Sequence, residues 1–127
     1  MTVGVVCTLL LCFIPVRFVA GQTPVLDPQS LVGEWQGNWI DPRDTNNKGS
    51  YFMTIKRVEG NVVVTHLYIV GRGVFDGERS ATLSGNTMIM QTQSNRAEFV
   101  IEGRQMRGTT RNISSGIVVQ EISLVKK

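Results

Sequence analysis

Side chains that could act as metal ligands or nucleophiles are few in this chain. His66 is the only histidine, and a metal site built on it would need Asp or Glu partners, none of which stands at ligand spacing. Ser84, Ser114 and Ser115 lie in turn-like segments without the G-x-S-x-G context of a hydrolase nucleophile. The sequence therefore predicts no enzyme, no metal site and no cofactor.

A second group of side chains is suited to binding. Alternate positions along several segments carry methionine, which adapts to irregular shapes, and tyrosine, whose hydroxyl can orient a ligand. The alternation places His66 on this same face, where we expect it to form part of the barrel wall. An alternative remains open, because the same side chains could simply fill a narrow barrel. The predicted ligand-binding residues are Trp39, Tyr51, Tyr68, Met88, Met90 and Phe99.

These residues lie on a series of short strand patterns. From Leu31 the chain alternates with period two, so that Trp35 and Trp39 share one face. Further strand-like runs follow at 50–58, 62–70, 79–84, 87–92, 96–102, 105–111 and 117–125, separated by turn signals. An even number of strands with short connections favours closure, which leaves no unpaired edge. The predicted fold is all-β: an eight-stranded antiparallel up-and-down meander barrel preceded by an N-terminal signal peptide.

Two longer segments interrupt the strand patterns. Residues 41–49 are polar and rich in turn formers, and residues 71–78 contain three glycines and an Asp-Gly pair. Both are predicted to be loops. In the predicted strand order they lie at the same end of the barrel, which is where we expect the function.

The N-terminal segment has the pattern of a targeting sequence. Residues 3–16 form a nearly uninterrupted apolar run that is too short for a membrane span and fits a signal peptide. We expect residues 1–21 to be the signal peptide, 22–30 an extended lead-in and 31–127 the barrel domain. An uncleaved anchor and a lipoprotein acylated at Cys12 are the alternatives. Both cysteines fall inside the signal, so the mature chain would have none. The predicted location is secreted or periplasmic, without a stable membrane span after signal removal.

The charge of the chain does not point to nucleic acid. The formal net charge is only +3, and the late basic residues alternate with acidic and apolar ones instead of forming a block. A solvated barrel face explains this pattern, and a patch for an anionic partner is the alternative. We therefore predict no nucleic-acid partner.

The start of the first strand carries a family resemblance. Gly33-Glu34-Trp35 resembles the G-x-W motif of the calycin superfamily of lipocalins, fatty-acid-binding proteins and avidin-like proteins. The resemblance implies a barrel in which the first-strand tryptophan closes one end beneath a basic side chain near the last strand. Trp35 and Lys126 would take these places. The later tryptophans of an avidin-like biotin site are absent, so biotin binding is not implied.

Two hypotheses about function follow. In the first, the chain is an exported small β-barrel that binds a small apolar ligand in its interior. In the second, it is a protein-binding or inhibitory module that acts on a protein partner through the loops at the barrel mouth, without enzymatic activity.

Overall fold

The computed structural model describes residues 26–127, which fold into a closed antiparallel barrel. Each strand pairs with the next along the chain, and the last pairs with the first. The predicted all-β, eight-stranded up-and-down barrel is therefore confirmed, whereas the predicted signal peptide lies outside the described residues. The strands are β1 Gly33–Asp41, β2 Asp44–Glu59, β3 Val62–Val70, β4 Val74–Ser84, β5 Thr87–Gln91, β6 Asn95–Glu102, β7 Gln105–Asn112 and β8 Val118–Lys126.

Three tight turns define one end of the barrel. The β2–β3, β4–β5 and β6–β7 hairpins each have a two-residue connection that begins with Gly60, Gly85 or Gly103. Each glycine has a φ of about 60° (62°, 60° and 61°), a backbone conformation that glycine adopts without steric cost. We call this end the closed end and the opposite one the mouth.

A single turn of 3-10 helix, Pro28–Leu31, covers the closed end. The sequence predicted an extended lead-in over residues 22–30; residues 28–30 belong instead to this helical turn, and residues 22–25 lie outside the described range. Asp27 accepts a hydrogen bond from the Gln29 amide through its side chain (3.1 Å), while Pro28 occupies the start of the helix, where a missing N–H is harmless. The pair Asp27-Pro28 therefore starts a helical turn.

Trp35 and Leu31 close the barrel beneath this turn. Each is only 1% exposed, and the Trp35 indole N–H donates a hydrogen bond to the Leu31 carbonyl over 2.9 Å. Lys126 lies opposite Trp35 in the β1–β8 ladder, and its ammonium donates to the Ser30 carbonyl. Trp35 and Lys126 thus both hold the 3-10 turn in place at the closed end.

The segment 41–49, predicted to be the longest loop, is mostly strand. The turn itself is Pro42-Arg43, and Asp44–Glu59 forms β2. The Asp41 carboxylate accepts hydrogen bonds from the Arg43 amide (2.9 Å) and the Arg43 guanidinium (3.0 and 2.9 Å), and these bonds hold the pKa of Asp41 well below its usual range. These bonds complete the turn within residues 41–43. The polar residues that follow therefore belong to β2.

The second predicted loop, 71–78, is also shorter than expected. Only residues 71–73 form the turn, and Val74 to Glu78 belong to β4, where they pair with β3. Gly77 leaves space for the Phe75 ring in that strand, since a Cβ at position 77 would lie only 3.2 Å from the ring. Both turns nevertheless lie at the mouth, the same end, as the strand order predicted.

The described residues include no helix with the length and apolar character needed to cross a membrane.

Replacing Trp35 tests the closed end. We expect Trp35→Ala to lower the free energy of unfolding by about 3–5 kcal/mol, because it removes a fully buried aromatic side chain and leaves the Leu31 carbonyl unpaired. Urea denaturation measures this loss. Phe52→Ala is the matched control, since Phe52 is 39% exposed on the outer surface, and its loss should be well under half as large. A loss below about 1 kcal/mol for Trp35→Ala would contradict the assignment.

Candidate functional site at the barrel mouth

Most of the barrel interior is filled by large side chains. Phe99 is 0% exposed, and its ring lies so close to β7 that a Cβ at position 108 would be 2.5 Å away, which explains the glycine there. This part of the interior has no room for a ligand. Its fully buried members include Trp35, Met53, Ile55, Val63, Thr65, Met88, Phe99, Met106 and Leu124.

Towards the mouth the interior contains a cavity of about 160 Å³. Strands β2 to β8 all contribute to its wall, so it is the solvent-open end of the barrel interior. The apolar part of the wall consists of Tyr51, Leu67, Ile69, Phe75, Met90 and Ala97, and the polar part of Arg79, Thr92, Asn95, Thr110 and Gln120.

Two of the six predicted binding residues, Tyr51 and Met90, line this cavity. Met88 and Phe99 point inward as predicted, but they are fully buried in the filled part. The rings of Tyr51 and Phe99 meet edge to face with centroids 6.2 Å apart. This contact marks the boundary between the filled part and the cavity.

Trp39 lies inward at the mouth but does not line the cavity. Its indole N–H donates to the Val70 carbonyl over 3.0 Å, which ties β1 to the end of β3. The ring fits against Gly71, where a Cβ would approach it to 2.4 Å. Trp39 thus packs the rim of the mouth.

The predicted inward orientation of Tyr68 and His66 is wrong. Tyr68 is 41% exposed and packs against Phe52 on the outer surface with ring centroids 6.0 Å apart. The His66 Nε2 atom lies 2.6 Å from a carboxylate oxygen of Asp76, also outside. The β3 segment carries bulky apolar residues on both faces, so alternation alone could not set its orientation. The inward residues of β3 are Val63, Thr65, Leu67 and Ile69.

The sequence reasoning missed the contribution of β4 to the site. Ala81 and Leu83 face the interior, and period-two alternation continued backwards from them places Arg79 and Phe75 on the same face, in the wall. The assignment of 71–78 to a loop removed Phe75 from consideration. Arg79 was missed because a charged residue is not expected to face an interior.

Arg79 is held firmly in the wall. The Thr65 hydroxyl donates to its carbonyl over 2.8 Å, and its guanidinium carbon lies 4.5 Å from the centroid of the Phe75 ring. Its side chain donates one hydrogen bond, to the Glu78 carbonyl (3.0 Å). Among residues 26–127, no carboxylate forms a salt bridge with it.

Other concavities lie outside the barrel. The largest of these, about 1020 Å³, lies at the closed end between the 3-10 turn and the hairpin glycines Gly60, Gly85 and Gly103. An outer groove of about 240 Å³ runs between Arg96, Arg107 and Arg111. Arg96 pairs there with Glu98 at 3.0 Å, as expected of a solvated face. No group of three potential metal ligands occurs within residues 26–127.

Comparison with known proteins assigns no family to the chain. No protein-family model matches it, and no curated protein matches it.

The titration of Tyr51 reports on its burial. Desolvation raises the pKa of this phenol, so below about pH 10 it is neutral in both the folded and unfolded chain. Above that pH the unfolded chain loses the proton first, and the free energy of unfolding falls as pH rises. In Tyr68→Phe, where Tyr51 is the only tyrosine, we expect no phenolate absorbance until well above pH 10. Urea-unfolded protein is the control, and a midpoint near 10 in the folded state would contradict the burial.

Proposed function

We propose that the protein is a small binding barrel whose mouth cavity takes a small ligand with an apolar part about the size of a single ring. The observation that carries the proposal is the mouth cavity of about 160 Å³ with its mixed wall. A cavity of roughly 150 Å³ lined by apolar side chains is large enough to bind benzene. Ligand sites typically combine an apolar lining with a few polar groups that set orientation, and this wall does so.

The volume limits the size of the ligand. Sites for drug-sized molecules run from about 300 to 1,000 Å³, roughly twice this cavity or more. Phe99 and Met88 fill the barrel below it and are 0% exposed. A fatty acid or retinoid therefore exceeds the available space.

The resemblance to calycins supports an interior binding site. The G-x-W motif at Gly33-Glu34-Trp35 starts β1, and the tryptophan lies at the closed end with Lys126 opposite it. In a barrel closed at one end, a ligand enters at the other. The apolar run before residue 22 supports export as the setting for this binding.

A protein-binding role is the second candidate. Three exposed apolar side chains belong to the turns at the mouth or directly follow one: Val74 is 63%, Ile113 45% and Ile117 46% exposed. Exposed apolar groups on loops are typical of contact surfaces. The protein-binding role becomes the better account if the cavity binds no small molecule.

Filling the cavity tests the first proposal. We expect benzyl alcohol, a neutral single-ring probe, to bind the wild-type barrel saturably in a titration followed by amide NMR. Ala97 is inward, 8% exposed and part of the wall. Ala97→Leu should place its three extra carbon atoms in the cavity and weaken binding about tenfold or more, the loss that follows from about 1.4 kcal/mol.

The control is Val100→Leu, which enlarges an apolar side chain on the outer face of the same strand, 43% exposed. It should bind the probe as the wild type does. Absence of saturable binding to the wild type, or equal binding by Ala97→Leu, would contradict the proposal.

A further inference from the structure

Arg79 is an unusual residue in the wall of the cavity. On β4 the residues facing the interior are Phe75, Gly77, Arg79, Ala81 and Leu83, so the strand directs its arginine inward and places Glu78 and Ser80 on the outside. Glu78 pairs there with Lys56 at 2.7 Å. Among residues 26–127, Arg79 is the only charged residue in the cavity wall, and no acidic side chain of this range lines it.

A half-buried cation without a counter-ion is energetically unfavourable. Removing a charged group from water costs free energy unless an opposite charge or hydrogen bonds compensate. Phe75 covers one face of the guanidinium, and the single hydrogen bond to the Glu78 carbonyl uses one of its five N–H donors. The remaining donors lie in the guanidinium plane, a geometry that matches the two oxygens of a carboxylate.

The rest of the wall suits the same kind of ligand. Asn95, Thr110 and Gln120 supply further polar groups, and the Thr110 hydroxyl lies 3.4 Å from the side-chain oxygen of Gln120. Across the cavity from these groups the wall is apolar, formed by residues such as Leu67 and Ile69 of β3. The wall therefore offers an apolar surface for a ring and a cationic group for an anion.

We infer that the ligand is a small aromatic carboxylate whose ring occupies the cavity and whose carboxylate pairs with Arg79. This inference rests on the proposed function and specifies the chemical class of its ligand. Arg79 is then the residue that determines specificity, because it distinguishes an anionic ligand from a neutral one of the same shape.

The test compares benzoate with benzyl alcohol, which has the same ring but no charge. Calorimetric titration of the wild type should show benzoate binding about tenfold or more tightly, as expected for hydrogen bonds to a charged group. Arg79→Met removes the charge and keeps a long side chain. It should abolish this preference by weakening benzoate binding about tenfold or more. A circular dichroism spectrum and urea midpoint like those of the wild type show that the variant is folded.

Arg107→Met is the matched control. Arg107 lies exposed on the outer face of β7, so its replacement changes the net charge equally without touching the cavity, and benzoate binding should stay at the wild-type value. Arg79→Lys, which keeps the charge but not the planar fork, should bind benzoate with intermediate affinity.

The outcomes separate the two claims. If benzyl alcohol binds as well as benzoate, or if Arg79→Met binds benzoate like the wild type, the inference about the anion is overturned while the proposed cavity function stands. If Arg79→Met loses both ligands alike, Arg79 shapes the cavity instead of pairing with an anion, and the inference is again overturned. If neither ligand binds the wild type, the proposed function itself fails.

Discussion

Closure of the barrel by pairing of β8 with β1 is the constraint on which the rest of the structure depends. A closed barrel of eight strands has an interior just wide enough for side chains to fill or for one small ligand. The sizes of the inward residues therefore decide where space remains. Trp35, Met53 and Phe99 fill the barrel from the closed end, whereas the cavity lies nearer the mouth and has Ala97 in its wall.

The inner and outer faces of the sheet differ in how their charged side chains are paired. On the outer surface opposite charges lie side by side, as in Lys56 with Glu78 and Arg96 with Glu98, and water screens such exposed pairs so that they add little stability. Inside, the part of the cavity wall formed by the described chain contains Arg79 and no acidic side chain. A positive charge in a partly desolvated wall attracts an anion more strongly than one on the surface. This difference makes the cavity chemically distinct from the outer grooves.

The sequence predicts the fold better than the site, for identifiable physical reasons. Turn glycines and period-two alternation are local signals, so the strand number and the closure could be predicted from them. The place of Trp35 at the closed end was implied by the G-x-W resemblance. The orientation of β3 could not, because Val62, Val63 and Val64 suit either face, and Tyr68 was assigned to the wrong side as a result. The turn at Pro42-Arg43 depends on the Asp41 side chain, which composition does not reveal. The cavity depends on how side chains from seven strands meet, which alternation along a single strand cannot show.

The division of the interior into a filled part and a mouth cavity is the central claim of this account. Four methionines lie in these two parts of the interior: Met53, Met88 and Met106 are 0–1% exposed in the filled part, and Met90 lines the cavity. The most direct measurement is a benzoate titration of protein carrying ¹³C-labelled methionine methyl groups, followed by NMR. The account predicts a saturable shift of the Met90 methyl, with those of Met53 and Met106 nearly unchanged. Equal shifts of the Met53, Met90 and Met106 methyls, or no shift of the Met90 methyl, would contradict the account.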